Sequence, residues 1–258
     1  MPVQVTAKNS TVTLPVVELF SSIQGEGMLV GLRQVFLRLW GCNIACAYCD
    51  TCHEELPERC LLENSPGRRD FVDVANPVSF ERILTHLERW NRGWPDIHHS
   101  LSLTGGEPLM HPEILRAILP DLITCLPVYL ETNGLLPQAL ELVIDNISMI
   151  GMDIKLPSAT GCEIRWETHL DFLRIGSSKD IFVKVVVTDT TEEWELQRAC
   201  AIVAQIRKDI PFIIQPVTSR GGVVAVSPLK LLEFQELASQ TLSGVRVIPQ
   251  THRFMGQL

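Results

Sequence analysis

Short apolar runs recur along the chain and alternate with segments whose apolar residues repeat at helical spacing. Runs of four to eight residues bounded by turn residues are typical of buried strands. They predict strands at Val35–Trp40, Ser100–Leu103, Val128–Thr132, Met149–Ile154, Ile181–Val187, Phe212–Gln215 and Val245–Ile248. An earlier apolar segment, Val16–Ile23, leads into Gln24-Gly25-Glu26-Gly27, where two glycines favour a tight turn or a close approach of a ligand.

Helical periodicity fills the gaps between the predicted strands. The first helix has an apolar stripe between a capping residue, Ser79, and a terminating residue, Gly93. The stripe consists of Phe80, Ile83, Leu84, Leu87 and Trp90. Further helices are predicted at Pro112–Leu122, Pro137–Ile144, Glu192–Lys208 and Pro228–Ser239. A capping box of Thr190 and Glu193 is expected to open the third of these, and Ser227 the fourth.

This alternation predicts parallel βα units in one α/β domain that spans residues 1–258. With about six units, the expected fold is a partial, TIM-like (β/α)6 barrel rather than the complete eight-unit ring. The segment 52–78 is polar and contains three prolines, so it is interpreted as a long loop or insertion. Residues 1–14 are expected to form a loose lead-in or an edge strand.

Composition narrows the class of protein. The chain has 258 residues, 46% of them hydrophobic, which is enough for one sizeable core. A net charge of −8 with scattered basic residues argues against nucleic acid as a partner. No apolar run approaches the roughly 20 residues that span a bilayer, and the first residues lack the layout of a signal peptide. We therefore expect a cytoplasmic protein without a membrane partner.

Three cysteines of one short loop, Cys42, Cys46 and Cys49, carry the clearest chemical signal. Three thiolates can hold three irons of a [4Fe–4S] cube and leave the fourth iron open. A zinc site is the alternative, because Cys52 and His53 stand near enough to complete a closed set of ligands. Cys125, Cys162 and Cys200 are expected in the core. Cys52 and Cys60 are not assigned a place.

Polar motifs follow the predicted strands at their carboxyl ends, where parallel barrels place their chemistry. These motifs are the cysteine loop, Thr104-Gly105-Gly106-Glu107, Glu131-Thr132-Asn133-Gly134, Asp153-Ile154-Lys155 and Gln215-Pro216. Arg38 interrupts an apolar strand just before the cysteine loop and therefore needs an anionic partner. That partner is either a carboxylate of the protein or the carboxylate of a substrate.

The Cys42-x3-Cys46-x2-Cys49 loop, with Tyr48 before its third cysteine, and the later Gly-Gly-Glu-Pro resemble the radical S-adenosylmethionine superfamily. The resemblance implies that the open iron binds the methionyl amine and carboxylate of S-adenosylmethionine. An electron from the [4Fe–4S] cluster then produces a 5′-deoxyadenosyl radical. The implied cofactor-binding residues are Tyr48 on the adenine side, Gly106 and Glu107 at the methionyl amine, and Thr132, Asn133, Asp153, Lys155 and Gln215.

A closer resemblance, from about Val17 to the C-terminus, is to the 7-carboxy-7-deazaguanine synthase family. It rests on the segment 18–27, on Arg38 in its strand, on Cys49-Asp50-Thr51 and on the tail 249–253. The family rearranges 6-carboxy-5,6,7,8-tetrahydropterin, with loss of ammonia, in the biosynthesis of queuosine-type deazapurines. The resemblance implies substrate-binding roles for Ile23, Gln24, Gly25, Glu26, Arg38, Thr104, His252 and the main chain of Leu258.

The same resemblance implies a Mg²⁺ ion bound by the Thr51 hydroxyl, which suits a hard cation. It also implies a homodimer and an electron donor such as flavodoxin or ferredoxin. No side chain is expected to act as an acid or base, since the deoxyadenosyl radical begins the chemistry. One departure is Asp153-Ile154-Lys155, where many members have Ser-Pro-Lys. The competing functions are another radical enzyme, such as a glycyl-radical activase, and a non-catalytic iron–sulfur or zinc module.

Overall fold

The computed structural model describes residues 12–49, 55–163, 165–219 and 222–257. Its strands are β1 Thr13–Leu14, β2 Val16–Ile23, β3 Arg33–Leu39, β4 Arg59–Glu63, β5 Phe71–Ala75, β6 Val78–Ser79, β7 Ser100–Gly105, β8 Val128–Thr132, β9 Met149–Ile154, β10 Asp180–Val187, β11 Phe212–Pro216 and β12 Val245–Val247. Its α-helices are α1 Phe80–Gly93, α2 Pro112–Cys125, α3 Pro137–Val143, α4 Pro157–Thr160, α5 Trp166–Gly176, α6 Glu193–Ile206, α7 Pro228–Ser239 and α8 Thr251–Met255.

Within these ranges, ten strands form one sheet in the order β12-β11-β10-β9-β8-β7-β3-β2-β4-β5. Every neighbouring pair from β3 to β12 is parallel. Between consecutive strands of this parallel part lie the crossover helices α1, α2, α3, α5, α6 and α7. The predicted α/β fold with six parallel units is therefore confirmed, and β5 and β12 are the edges of an open sheet.

Helix α1 shows how the pattern of the sequence becomes packing. Phe80, Ile83, Leu84, Leu87 and Trp90 are all buried against the sheet, and the helix ends at Gly93 as predicted. Burying a large apolar side chain stabilises the folded chain by about 1.5–3 kcal/mol before conformational entropy is counted. One helical stripe therefore contributes a substantial part of the stability of this layer.

The segment 52–78 differs from the predicted loop. Within it, β4 and β5 form an antiparallel hairpin, and β4 pairs parallel with β2 at the edge of the main sheet. Both strands carry charged residues and lie between prolines, as edge strands often do, and this masked their periodicity. The short β6 pairs with β1, so the expected edge strand in the lead-in is present at Thr13–Leu14. Residues 1–11 and 50–54 lie outside the described ranges.

Two further expectations need correction, and helix α5 has no counterpart among the predicted helices. The capping box at Thr190 is absent, because Glu192 is the N-cap of α6 and makes no side-chain cap bond, and Ser79 also makes none. Ser227 does cap α7, since its hydroxyl accepts from the backbone N–H of Lys230 at 3.2 Å.

The cysteines outside the loop divide into two kinds. Cys200 and Cys60 are buried in the core, and Cys125 is partly buried against it. Cys162 is not a core residue, contrary to expectation: it is half-buried in the turn after α4, where its thiol donates to the carbonyl of Ala45 at 3.3 Å. Helical periodicity could not reveal this position because the contact joins two irregular segments.

The end of β7 anchors the start of the cysteine loop. The backbone N–H of Glu107 donates to Gly41 O at 2.8 Å, and that of Gly106 donates to Leu39 O at 3.3 Å. Gly105 has φ +146°, and a Cβ on it would lie 2.1 Å from Leu39 O. Only glycine lets the two strand ends approach this closely.

The turn after β9 anchors the middle of the loop. The backbone N–H of Ala47 donates to Thr160 O at 2.9 Å, beside the Cys162 contact. Helix α4 is itself held by Glu195 of α6, which is 2% exposed. The Glu195 carboxylate accepts from the backbone N–H of Ser158 at 3.0 Å and from its hydroxyl. Glu195 therefore supports the cysteine loop through α4.

In the described chain, no helix combines the length and the apolar character needed to cross a membrane.

Replacing Gly105 by alanine is expected to lower the free energy of unfolding by at least about 2 kcal/mol, because the new Cβ meets backbone atoms that cannot move aside. Gly93→Ala is the matched control, since a Cβ there meets nothing within 4 Å. Urea unfolding followed by circular dichroism measures both. Equal midpoints for the two variants contradict the prediction.

If the cysteine loop binds the iron–sulfur cluster that its resemblance implies, Glu195→Ala is expected to release iron from the reconstituted protein several times faster than the unsubstituted chain, because α4 loses its anchor. Glu195→Gln is expected to restore much of the retention, since its amide oxygen still accepts from Ser158. The decay of cluster absorbance in excess chelator measures the rates, with Glu193→Ala as the exposed control on the same helix. Identical rates in the Glu195→Ala and Glu193→Ala variants refute the anchoring role.

Candidate functional site

A cavity opens at the carboxyl ends of the parallel strands, where the sequence places its polar motifs. The predicted residues that line it are Glu26, Arg38, Cys42, Cys46, Tyr48, Cys49, Thr104, Gly106, Thr132, Asn133, Asp153, Lys155 and Gln215. These come from six different strand ends or the loops after them. The topology therefore brings together residues that are up to 189 positions apart in the sequence, from Glu26 to Gln215.

The cysteine loop forms one wall of the cavity, and none of its three cysteines forms a disulfide with a described residue. Burial raises the pKa of the Cys46 thiol to about 12, and burial also raises the pKa of Cys42. Within the described residues, no three His, Cys, Asp or Glu side chains lie close enough to share a single metal ion. Three cysteines in one wall are the number that a [4Fe–4S] cube requires for three of its irons. Cys52 and His53, which the zinc alternative requires, lie outside the described ranges.

Glu107 is fully buried behind the cavity wall and organises the neighbouring strand end. Its carboxylate accepts from the backbone N–H of Asn133 at 2.7 Å, from the Thr132 hydroxyl at 2.9 Å and from the backbone N–H of Leu109 at 3.1 Å. Burial raises the pKa of Glu107 to about 7 despite these bonds. The Asn133 amide in turn donates to Asn43 Oδ1 at 2.7 Å, which ties this strand end to the cysteine loop.

A chain of ionised side chains crosses the cavity from the turn after β2 to the cysteine loop. The Lys184 ammonium bonds Glu26 and lies 3.5 Å from Asp153. Asp153 in turn lies 2.7 Å from the Lys155 ammonium, which donates to the Tyr48 hydroxyl at 3.2 Å. The Lys155 ammonium also stands 5.3 Å from the centre of the Tyr48 ring. Charges of alternating sign thus follow one another across the site.

The pKa values of these ion-paired side chains show how strongly they depend on one another. Burial by itself would raise the pKa of Glu26, but Lys184 and the Gln250 amide bring it well below its usual range. Burial would lower the pKa of Lys184 and of Lys155, but their carboxylate partners raise both well above the usual range. All members with these shifts therefore remain ionised near neutral pH.

Two buried acceptors in the cavity wall lack a hydrogen-bond partner among the described residues. They are Asp153 Oδ1 and Gln215 Oε1. A buried acceptor without a partner is costly, and such atoms commonly mark positions where a ligand binds. Both atoms belong to residues for which the sequence indicates cofactor contacts.

A network of neutral and anionic groups surrounds the floor of the cavity. The Gln24 amide donates to Glu131 Oε1 at 2.7 Å and to Gln34 Oε1 at 2.9 Å. The Thr104 hydroxyl donates to Glu131 Oε2 at 2.9 Å. Gln24 is buried beneath the lining residues, and Glu131 lines the cavity itself.

Arg38 takes a carboxylate of the protein as its partner: its Nε donates to Glu18 Oε1 at 2.7 Å on the neighbouring strand. The guanidinium also lines the cavity. Of the two partners considered for this residue, the protein carboxylate is the one observed. Because this bond to Glu18 uses only Nε, it fixes the orientation of the planar guanidinium group.

The remaining predicted site residues lie beside or outside the cavity. Ile23, Gln24 and Gly25 precede the lining residue Glu26, and His252 packs against Gly25, where a Cβ would lie 2.3 Å from His252 Nδ1. Thr51 and Leu258, the residues predicted to bind Mg²⁺ and substrate, lie outside the described residues.

Sequence reasoning missed several polar residues that line the cavity, among them Glu131, Lys184, Gln250 and Arg253. Lys184 had a detectable signal, because it interrupts an apolar strand in the same way as Arg38. Glu131 stood in a recognised strand-end motif but received no role. Gln250 and Arg253 stood in the tail 249–253, on which the resemblance partly rests, but likewise received no role.

No protein-family model matches the chain. Individual proteins, however, are similar to it over nearly its whole length. It is 55% identical over 241 residues to the 7-carboxy-7-deazaguanine synthase of Geobacter sulfurreducens, covering 93% of this chain and 96% of that protein. It is 32% identical over 262 residues to the synthase of Methanothermobacter thermautotrophicus, with 94% and 97% covered.

Solved structures agree on the fold. QueE from Escherichia coli superposes with a TM-score of 0.57 at 21% identity, covering 92% of this chain and 94% of that one. A radical SAM methyltransferase from Sphaerobacter thermophilus gives a TM-score of 0.56 at 11% identity, with 84% and 66% covered. At these identities the structures show a shared radical SAM fold, while the sequence relatives show the family. The chain belongs to the 7-carboxy-7-deazaguanine synthase family.

Proposed function

We propose that this protein rearranges 6-carboxy-5,6,7,8-tetrahydropterin to 7-carboxy-7-deazaguanine, with loss of ammonia, in queuosine-type deazapurine biosynthesis. The observation that carries the proposal is that one cavity joins the three clustered cysteines of the loop to an ion-paired polar floor. A non-catalytic iron–sulfur module has no use for that floor. The relatives with this name cover nearly the whole chain and thus both parts of the cavity.

Cys42, Cys46 and Cys49 are proposed to hold a [4Fe–4S] cluster, and the wall beside them S-adenosylmethionine. When bound, these two cofactors supply one-electron cleavage of a carbon–sulfur bond, which begins radical chemistry. Gly105 and Gly106 expose backbone polar groups to the methionyl end. Glu107 holds Thr132 and Asn133 in place, and its buried carboxylate favours a cationic amine nearby.

The adenosyl end of the cofactor is proposed to lie along Tyr48, Asp153, Lys155 and Gln215. Asp153 Oδ1 and Gln215 Oε1 are the unpaired acceptors that hydroxyl or amino donors of a nucleoside would satisfy. Lys155 fixes the Tyr48 ring from one side, which leaves the aromatic face oriented for an adenine contact.

The floor of the cavity is proposed to hold the pterin. Glu26 stays ionised because Lys184 compensates its charge, so it can accept hydrogen bonds from the donor-rich guanidine edge of the substrate. Ile23, Gln24 and Gly25 place Glu26, and Thr104 and His252 complete the surroundings. The Arg38 fork, aimed by Glu18, is proposed to bind the substrate carboxylate, and the main chain of Leu258 to reach the substrate.

A Mg²⁺ ion is proposed to join the substrate carboxylate to the Thr51 hydroxyl. Magnesium prefers oxygen ligands and usually keeps several waters, so one hydroxyl together with substrate oxygens is a sufficient site. Its role would be to orient the substrate for the rearrangement.

We further propose a single radical S-adenosylmethionine domain over residues 1–258, acting as a homodimer that receives electrons from a donor such as flavodoxin or ferredoxin. A cytoplasmic location is proposed as well. None of the seven described cysteines forms a disulfide with another, as is typical of a reducing compartment.

The reaction itself is the direct test. Protein reconstituted with iron and sulfide under anaerobic conditions, then mixed with the carboxytetrahydropterin, S-adenosylmethionine, Mg²⁺ and a reductant, is expected to form 7-carboxy-7-deazaguanine, measured by mass spectrometry. Omitting Mg²⁺ is expected to slow turnover several-fold without changing cluster absorbance.

The other outcomes of that experiment are equally informative. Cleavage of S-adenosylmethionine without the deazaguanine product refutes the substrate and favours a different radical enzyme. An intact, reduced cluster that leaves S-adenosylmethionine uncleaved refutes radical catalysis and favours a non-catalytic module.

Lys184→Met is expected to raise the KM for the pterin at least roughly tenfold, because Glu26 loses the charge that keeps it ionised. It is also expected to lower the free energy of unfolding by about 1–3 kcal/mol, a value reduced by the partial exposure of the pair. The double variant Glu26→Gln/Lys184→Met is expected to recover stability but not substrate affinity. Lys208→Met, at an exposed lysine, is the control. If the double variant is less stable than Lys184→Met, the compensation argument is wrong.

A further inference from the structure

The β4–β5 hairpin contains a fully buried carboxylate that none of the proposed chemistry uses. Glu63 is 0% exposed and accepts three backbone N–H groups, from Ser21 at 2.8 Å, Gly67 at 2.9 Å and Arg69 at 2.6 Å. Ser21 belongs to β2, close before the turn with Ile23 to Glu26. Glu63 therefore joins the tip of the hairpin, residues 64–70, to the strand that carries the proposed pterin turn.

A second side chain fixes the same tip. Arg33 donates from Nη2 to Pro66 O at 2.8 Å and from Nε to Ser21 Oγ at 2.9 Å. Gly67 has φ +74°, and a Cβ there would lie 2.4 Å from Arg33 Nη2. The hairpin tip is thus held on β2 by two long polar side chains as well as by the sheet.

From this fixed tip, Arg69 reaches the C-terminal segment. Its Nη2 donates to the carbonyl of Gly256 at 2.5 Å, a contact between residues 187 positions apart. Arg69 has φ 58°, a left-handed conformation that carries a steric cost for any residue except glycine. Glycine would avoid this steric cost. The arginine side chain, with its contact to Gly256, is therefore what offsets the strained backbone.

The segment that Arg69 holds lies directly on the proposed pterin turn. Thr251 N–H donates to Gly25 O at 2.9 Å, and the Gln250 amide donates to Glu26 Oε1 at 2.7 Å. Near the end of the segment, the Ser22 hydroxyl donates to Gln257 Oε1 at 3.3 Å. Gln250 and Arg253 line the cavity. The position of the C-terminal segment therefore determines the shape of the cavity floor.

We propose that Arg69, presented by the hairpin tip, is a positioning residue that latches the C-terminal segment 250–257 over the pterin end of the cavity. C-terminal segments fray unless they are tied down, and a frayed segment would leave the floor incomplete. The expected effect of the latch on substrate affinity rests on the proposed function. Its expected effect on the C-terminal segment itself is independent of that function. It acts on substrate affinity and leaves the cysteine loop, at the opposite wall, unchanged.

The test compares Arg69→Gly with Arg68→Ala, an exposed neighbour on the same tip. Arg69→Gly removes the guanidinium and also relieves the left-handed backbone, so it is not expected to impair folding. Its KM for the carboxytetrahydropterin is expected to rise roughly three- to tenfold with little change in kcat, as suits one lost charged hydrogen bond. Iron content and cleavage of S-adenosylmethionine without pterin are expected to match those of Arg68→Ala.

A second measurement follows the segment directly. Carboxypeptidase is expected to remove C-terminal residues several times faster from Arg69→Gly than from Arg68→Ala, and Arg69→Lys is expected to restore part of the protection. An unchanged KM overturns the latch, and so does a raised KM without faster digestion. If the unsubstituted protein makes no deazaguanine, the proposed function fails, and equal digestion rates in the two variants would still overturn the latch separately.

Discussion

Four side chains of alternating charge form ion pairs with one another across the cavity. Glu26, Lys184, Asp153 and Lys155 are all at most about one-quarter exposed, so an unpaired member would be expensive. The four belong to β9, to β10, to the loop after β9 and to the turn after β2. The electrostatic requirement therefore restricts how three separate parts of the chain are placed. The same row of ion pairs connects the cavity wall that carries the cysteines to the floor proposed for the pterin.

The cysteine loop depends on its surroundings in the same way. Its described part, residues 41–49, forms neither a helix nor a strand, although the Cys49 N–H closes a turn on Cys46 O at 3.0 Å. Two neighbouring strand ends hold it through Gly41 and Asn43, and α4 with the turn after it holds it through Ala45 and Ala47. A loop that must hold a metal cluster at a defined distance from a substrate needs such external support, because ligands position a cofactor only as well as their own backbone is held.

The edge hairpin and the C-terminal segment add a second layer of support at the floor. Glu63 and Arg69 show that a region without evident chemistry can still serve the site, since both act through backbone contacts. In a parallel sheet the functional residues lie at the carboxyl ends of the strands, and elements at the sheet edge can support them through packing and hydrogen bonds. The lining of the cavity thus draws on residues from Glu26 to Arg253.

The sequence by itself determined the alternating strands and helices, the parallel units and the cysteine loop, because local periodicity and ligand spacing encode them. It also indicated that Arg38 needed an anion. Only the tertiary structure decided that Glu18 is that anion, that Lys184 meets Glu26 across 158 positions, and that a predicted loop is a hairpin on the sheet edge. Such pairings depend on strand order and register, which emerge from the packing of the whole chain and leave no period in the sequence.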